Sequence, residues 1–135
     1  MQSDQTLSGI AIFGFYDGAG NFLEEVGDAA AVPLRSMSVF VQNGSGSSTG
    51  IALANPNSSA ASVTLTLKDA AANIISTTSV NVPPMGHVSK YAAELFGAVL
   101  TGEFQGKMDV TSTLPIAAIT LRQRGSVFTS LPVIP

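Results

Sequence analysis

A chain of 135 residues has the length of one domain, enough to bury a core without metal or disulfide support. Its net charge is −3 and only six residues are Lys or Arg, so no basic face exists to neutralise a phosphate backbone and nucleic acid is not expected as a partner. With no cysteine, disulfides, thiol nucleophiles and zinc–thiolate sites are excluded together. Mean hydropathy is +0.36, yet no run of about 18 apolar residues could form a membrane-spanning helix.

Hydrophobic residues make up 45 % of the chain and charged ones 11 %, under half the usual charged share of about a quarter. Ser, Thr, Asn, Gln, Gly and Ala must therefore cover most of the surface. Such a finish suits secreted bacterial proteins and surfaces that pack against copies of themselves, whereas cytosolic solubility usually draws on Lys and Glu. The opening MQSDQTLSG lacks the charged and apolar regions of a signal peptide. The expectation is a mature portion, or targeting carried on a larger precursor.

Period-two alternation dominates from there on. SGIAIFGFY (8 to 16) reads as a first strand, with FLEEV (22 to 26) as its hairpin partner. After the loop GDAAAVP, LRSMSVFVQ (34 to 42) puts Met37, Val39 and Val41 on one face. NGSGSSTG is expected to be a flexible tip. GIALAN (50 to 55) sends Ile51 and Leu53 inward and stops at Pro56, which cannot donate to a ladder. In SVTLTLKD (62 to 69), Val63, Leu65 and Leu67 alternate with Thr64, Thr66 and Lys68, the pattern of a half-buried strand. IISTTSVNV (74 to 82), FQGKMDVTS (104 to 112), PIAAITLRQR (115 to 124) and SVFTSLPVIP (126 to 135) complete the set. Short strands at this spacing indicate an antiparallel β-sandwich of about eight or nine strands.

One helical interruption is expected near residues 89 to 96. In GHVSKYAAELFG, Tyr91 or Ala92, Leu95 and Phe96 recur at helical spacing before Gly97. Leu95 and Phe96 should plug an open end of the sandwich while Lys90 and Glu94 stay wet. DGAGN (17 to 21) and DAAAN (69 to 73) echo each other as hairpin loops. Asp accepts from the backbone two residues on, and Asn tolerates the left-handed turn.

Candidate chemistry is sparse. His87 is the single histidine, so a nucleophilic triad would have to be built around it, and no serine elbow such as G-x-S-x-G is present. GSGSS at 44 to 48 lies in the tip without a following helix. Glu24 and Glu25 are adjacent on a strand and point to opposite faces, so they cannot form a glycosidase pair. Asp28, Asp69, Glu94, Glu103 and Asp109 show no pairing by spacing and read as solvated surface. The DGAGN loop supplies one Asp and one Asn, short of the six to eight oxygens that calcium takes. For sugar stacking there is no Trp, leaving Tyr16 and Tyr91. Phe13 and Phe15 oppose Ile10 and Ile12, so the first strand is either covered on both sides, the favoured reading, or bears an exposed patch.

The motifs G-I-A-L-A-N-P, P-x-G-H before E-L-F, and P-I-A-A-x-x-L-R, with SGIAIFGFYDGAGNFLEEVGDAAAVP as an opening hairpin, make nearly the whole chain resemble a recurrent module of secreted and cell-surface bacterial proteins. Members more often carry glycine where this chain has Ala72. The resemblance implies an extracellular β-sandwich without catalytic machinery and supplies no active-site residues.

The sequence reading is thus a single domain, with an opening hairpin (8 to 26) and a main sandwich (34 to 135), and with no catalytic, metal or cofactor residues. It would act as a structural or adhesive module on copies of itself or on flanking domains of the same secreted protein, TLSGIAIF and VFTSLPVIP being the segments suited to adding strands. The competing class is a polysaccharide-binding module using Tyr16, Tyr91 or a loop-end groove. A pocket drawing His87 together with an acidic group and a reactive hydroxyl would overturn the non-catalytic reading.

Overall fold

Alternating side chains build ten antiparallel strands and one short helix over residues 9–135, which the computed structural model describes. Strands β1 (Ile10–Tyr16) and β2 (Phe22–Ala29) form a two-stranded hairpin. β3 (Leu34–Gly44) turns into β4 (Ser47–Ala54), and β5 (Ala61–Asp69) into β6 (Ile74–Val82). β7 (His87–Tyr91) leads into α1 (Ala92–Leu95), and β8 (Phe104–Arg124), β9 (Val127–Leu131) and β10 (Val133–Ile134) follow.

The sandwich is organised by β8, one strand of 21 residues where two were expected. Its first half pairs with β3 as far as Ile116 and with β5 as far as Ser112; from Ala117 it pairs with β4, and from Thr120 with β9. One strand therefore belongs to two facing layers, β6-β5-β8-β3-β10 and β7-β4-β8-β9. The change of partners falls at Thr113–Pro115. A proline with no N–H to offer is tolerated where the ladder is interrupted, so the chain stays extended there rather than breaking. Ser62 N–H donates to Thr113 Oγ1, Asn57 Nδ2 to the Pro115 carbonyl and Arg35 to the Thr113 carbonyl, holding the corner.

Between the layers lie Met37, Val39 and Val41 from β3, Val63, Leu65 and Leu67 from β5, Met108 and Val110 from β8, facing Ile51, Leu53, Ile116 and Ala118. The inward sets read from period two are the core found. Phe96 and Leu100 close one end, and Leu95 packs against the same cluster, while Lys90 and Glu94 remain half-exposed in a 3.2 Å ion pair. The helix is shorter than expected: residues 87–91 are a strand, because Val88 points inward and His87, Ser89 and Tyr91 outward along the edge of β4. Only one turn remains, with Glu94 Oε2 accepting from Tyr91 N–H at 2.7 Å.

NGSGSSTG is not a loose tip. Ser45 and Gly46 (φ 49° and 71°) make a two-residue hairpin of the kind that suits right-handed strand twist. Ser47 and Thr49 continue the inward alternation of Ile51 and Leu53 and are buried, with Thr49 Oγ1 accepting from Gln42 N–H. The two echoing loops share one geometry. Asp17 Oδ1 accepts from the N–H groups of Ala19 and Asn21, and Asn21 Nδ2 donates to Asp17 Oδ2; Asp69, Ala71 and Asn73 repeat this. The left-handed residue is the one before each Asn, Gly20 (φ 85°) and Ala72 (φ 67°), where the Gly20 and Ala72 N–H groups close the turn onto the Asp17 and Asp69 carbonyls. Ala72 therefore adopts the same turn as its glycine counterpart.

Asn55 escaped the sequence reading. It is buried at the end of β4, where Nδ2 lies 2.8 Å from the Ser59 carbonyl and 3.1 Å from those of Val82 and Pro83. Its Oδ1 accepts from Asn57 N–H and Nδ2. The side chain thus ties the ends of β4 and β6 to the loop leading into β5.

Candidate functional site

The β1–β2 hairpin lies over the outer face of the second layer. Phe15 stacks on Phe128 of β9, with ring centroids 3.9 Å apart and 2° between planes. Both oxygens of Glu24 lie 2.9 Å from the Phe128 nitrogen and accept its N–H. Glu24 and Glu25 do point apart, but Glu24 is a half-buried anchor rather than solvated surface, because the β9 edge needs an acceptor at that point. The first strand is covered on one face only. Phe13 and Phe15 face the body of the protein, whereas Ile10 and Ile12 are 74 % and 67 % exposed, since a two-stranded hairpin has no further layer to cover them.

Beneath the hairpin is an open cleft of about 670 Å³, within the range of small-ligand pockets. Its floor is made of Ala52, Ala54, Ala117 and Ile119, outward-facing residues of β4 and β8. Ala29, Ala30, Ala31 and Phe13 form the hairpin side, and His87, Ser89 and Asp28 supply the polar groups. An acid, a histidine and a hydroxyl thus line one cavity, the grouping named as adverse to a non-catalytic reading. A triad requires each member to be hydrogen-bonded to the next. Among the described residues, none of these three side chains bonds to another. His87 and Ser89 project from the same face of β7 two positions apart, about 7 Å along the strand.

Asp28 stands out among the carboxylates. Its Oδ2 is buried and has no hydrogen-bond partner among the described residues, and burial pushes its pKa upward against a smaller opposing effect of the Ala29 N–H. The side chain also borders a second recess of about 270 Å³ between the hairpin and the C-terminal segment. Period two gave no sign of this, because strand spacing does not say which carboxylate a roof will cover.

Asp17, Asp69, Glu103 and Asp109 are engaged within the fold. Asp17 and Asp69 close their own loops, which holds both pKa values down, chiefly through the side-chain bonds from Asn21 and Asn73. Glu103 accepts from Ser45 Oγ at 2.6 Å. Asp109, on the outer face of the first layer, meets Lys68 at 2.7 Å, Lys107 at 3.0 Å and Ser38 Oγ at 2.6 Å. Partial burial alone would raise its pKa, but the bonds from Lys68, Ser38 and Lys107 outweigh that and bring it down to about 2.

A carboxylate held below its ordinary value of 3.8 stabilises the fold fully above that pH, and the contribution is lost as pH falls toward about 2. With the side chain 27 % exposed, solvent screening reduces the effect to about 1 to 2 kcal/mol. Urea unfolding should show the wild type losing that much more stability than Asp109→Asn between pH 4 and pH 2. Equal losses would contradict it.

Both tyrosines remain accessible, Tyr16 at 62 % and Tyr91 at 40 % exposure. Tyr91 lies against Gly50, whose added Cβ would meet the ring at 3.6 Å, and its hydroxyl is 2.7 Å from Gln123 Oε1. Tyr16 packs edge-on to Phe22. Among the described residues no group of three or more acidic or histidine side chains is placed to hold a metal ion, and no helix is long and apolar enough to cross a membrane.

No protein-family model matches this sequence, and no curated protein matches it. In three dimensions the chain is similar to the crystal structure of Thermotoga maritima 1070, with a TM-score of 0.61 over 76 % of this chain and 94 % of that one, at 13 % identity. The likeness is one of fold.

Proposed function

We propose that this chain is a non-catalytic structural or adhesive module of a secreted or surface-attached bacterial protein, and that it acts by associating with copies of itself through the β1–β2 hairpin. One observation carries the reading: Ile10, Ile12, Tyr16, Phe22 and Leu23 are each more than half exposed on this hairpin. Monomeric proteins rarely expose contiguous apolar patches beyond a few hundred Å². The far edge of β1 pairs with no other strand among the described residues, so its backbone can extend a sheet as well as bury side chains.

Of the segments suited to adding strands, TLSGIAIF contributes the start of β1, whose second edge is unpaired among the described residues; its residues 6–8 lie outside the described residues. In VFTSLPVIP, β9 pairs with β8 and β10 with β3, each along one edge, and Glu24 occupies the Phe128 N–H on the other edge of β9. The test is sedimentation velocity from micromolar to millimolar concentration. The wild type should sediment faster as concentration rises, and the double variant Ile10→Lys, Ile12→Lys should stay monomeric with an unchanged circular dichroism spectrum. A wild type that is monomeric throughout, or an association untouched by the two lysines, would refute the proposal.

A further inference from the structure

We infer that the cleft beneath the hairpin binds a small ligand with an aliphatic body and a single ammonium group, the body lying on the alanine floor and the ammonium donating to Asp28. Two independent features converge on this chemistry. The first is shape and polarity: about 670 Å³ of open space over Ala52, Ala54 and Ala117, where side chains too short to fill the groove leave room for a chain of methylenes. Covering such a floor removes apolar surface from water, the usual source of affinity in a pocket of this size.

The second feature is charge. Asp28 borders both the cleft and the adjoining recess, and among the described residues neither is lined by a Lys or Arg. A carboxylate on an apolar wall with no cation beside it is stabilised by a charged donor that enters the cleft. His87 and Ser89, the other polar groups on the cleft wall, belong to β7 and are not hydrogen-bonded to Asp28. An anionic ligand would place like charge beside the carboxylate, and a neutral alcohol would satisfy it without an ion pair.

The full-length chain is titrated with hexylamine, hexanol and hexanoate, followed by amide chemical shifts of Ala29, Ala52, Ala117 and Ile119. Hexylamine should move these signals and bind about tenfold more tightly than hexanol, with hexanoate weakest. Asp28→Asn, which keeps the shape, should bring hexylamine down to the level of hexanol, and Ala117→Leu, which fills the floor while leaving Asp28 in place, should remove binding of both. Equal affinity for amine and alcohol, no effect of Asp28→Asn, or shifts confined to Ile12 and Leu23, which do not line the cleft, would overturn the inference. The last pattern would instead indicate binding at the self-association surface.

Discussion

Asn55→Asp is expected to lower the stability of the fold by about 4 kcal/mol, because a buried donor is replaced by a buried charge that nothing compensates. In the wild type, Nδ2 lies 2.8 Å from the Ser59 carbonyl and 3.1 Å from both the Val82 and Pro83 carbonyls. The carboxylate would face these three oxygens with no hydrogen to give. For a domain of this size the loss corresponds to a melting temperature lower by roughly 12 to 16 °C. Asn55→Leu, similar in volume, forfeits the same bonds without burying a charge and should cost about 1 to 2 kcal/mol less than the aspartate. Differential scanning calorimetry of the three proteins decides the matter. An aspartate variant within about 1 kcal/mol of wild type would mean that the carbonyls at the end of β6 are satisfied by something other than Asn55.

Gly106→Ala should cost about 2 to 3 kcal/mol through overpacking between β5 and β8. Gly106 sits opposite Asp69 on one side and Val41 on the other, with both neighbouring strands in place. An added methyl would run into the Lys68 carbonyl oxygen and would stand 2.9 Å from the Phe104 ring. The ring can swing away, but the carbonyl is part of the sheet backbone and cannot. Gly102→Ala is the control, since no atom lies within 4 Å of a Cβ there, and it should fall within about 0.5 kcal/mol of wild type. Urea denaturation separates the two; equal midpoints would contradict the close packing assigned to Gly106.

The core was legible because it depends on period alone. Val63, Leu65 and Leu67 alternate with Thr64, Thr66 and Lys68, and burial follows that alternation without exception. Period carries no information about partners. Nothing in FQGKMDVTS or PIAAITLRQR shows that the two are halves of one strand, since Pro115 usually marks a stop and here marks a change of neighbours. Asn55 was hidden for a different reason. An asparagine before a proline reads as the end of a strand, whereas its role depends on carbonyls supplied 27 and 28 positions later. A polar residue directly continuing an inward alternation, as Asn55 continues Ile51 and Leu53, was the available signal.

The cleft was the least legible element. Asp28 belongs to a hairpin whose own pattern fixes only that Glu24, Val26 and Asp28 share a face, and the roof it forms over Ala52 and Ala117 is a matter of packing between segments far apart in sequence. The same packing left Ile10 and Ile12 bare. A strand apolar on both faces signals two coverings, and the chain supplies one.

Contact between copies at that bare face is tested most directly by isotope-filtered nuclear Overhauser spectroscopy on an equal mixture of carbon-13-labelled and unlabelled chains at millimolar concentration. Intermolecular cross-peaks should connect the methyl groups of Ile10, Ile12 and Leu23 to protons of the unlabelled chain, and should disappear on dilution. Cross-peaks arising only from other surfaces, or none at a concentration where the chain is fully folded, would contradict self-association through the hairpin.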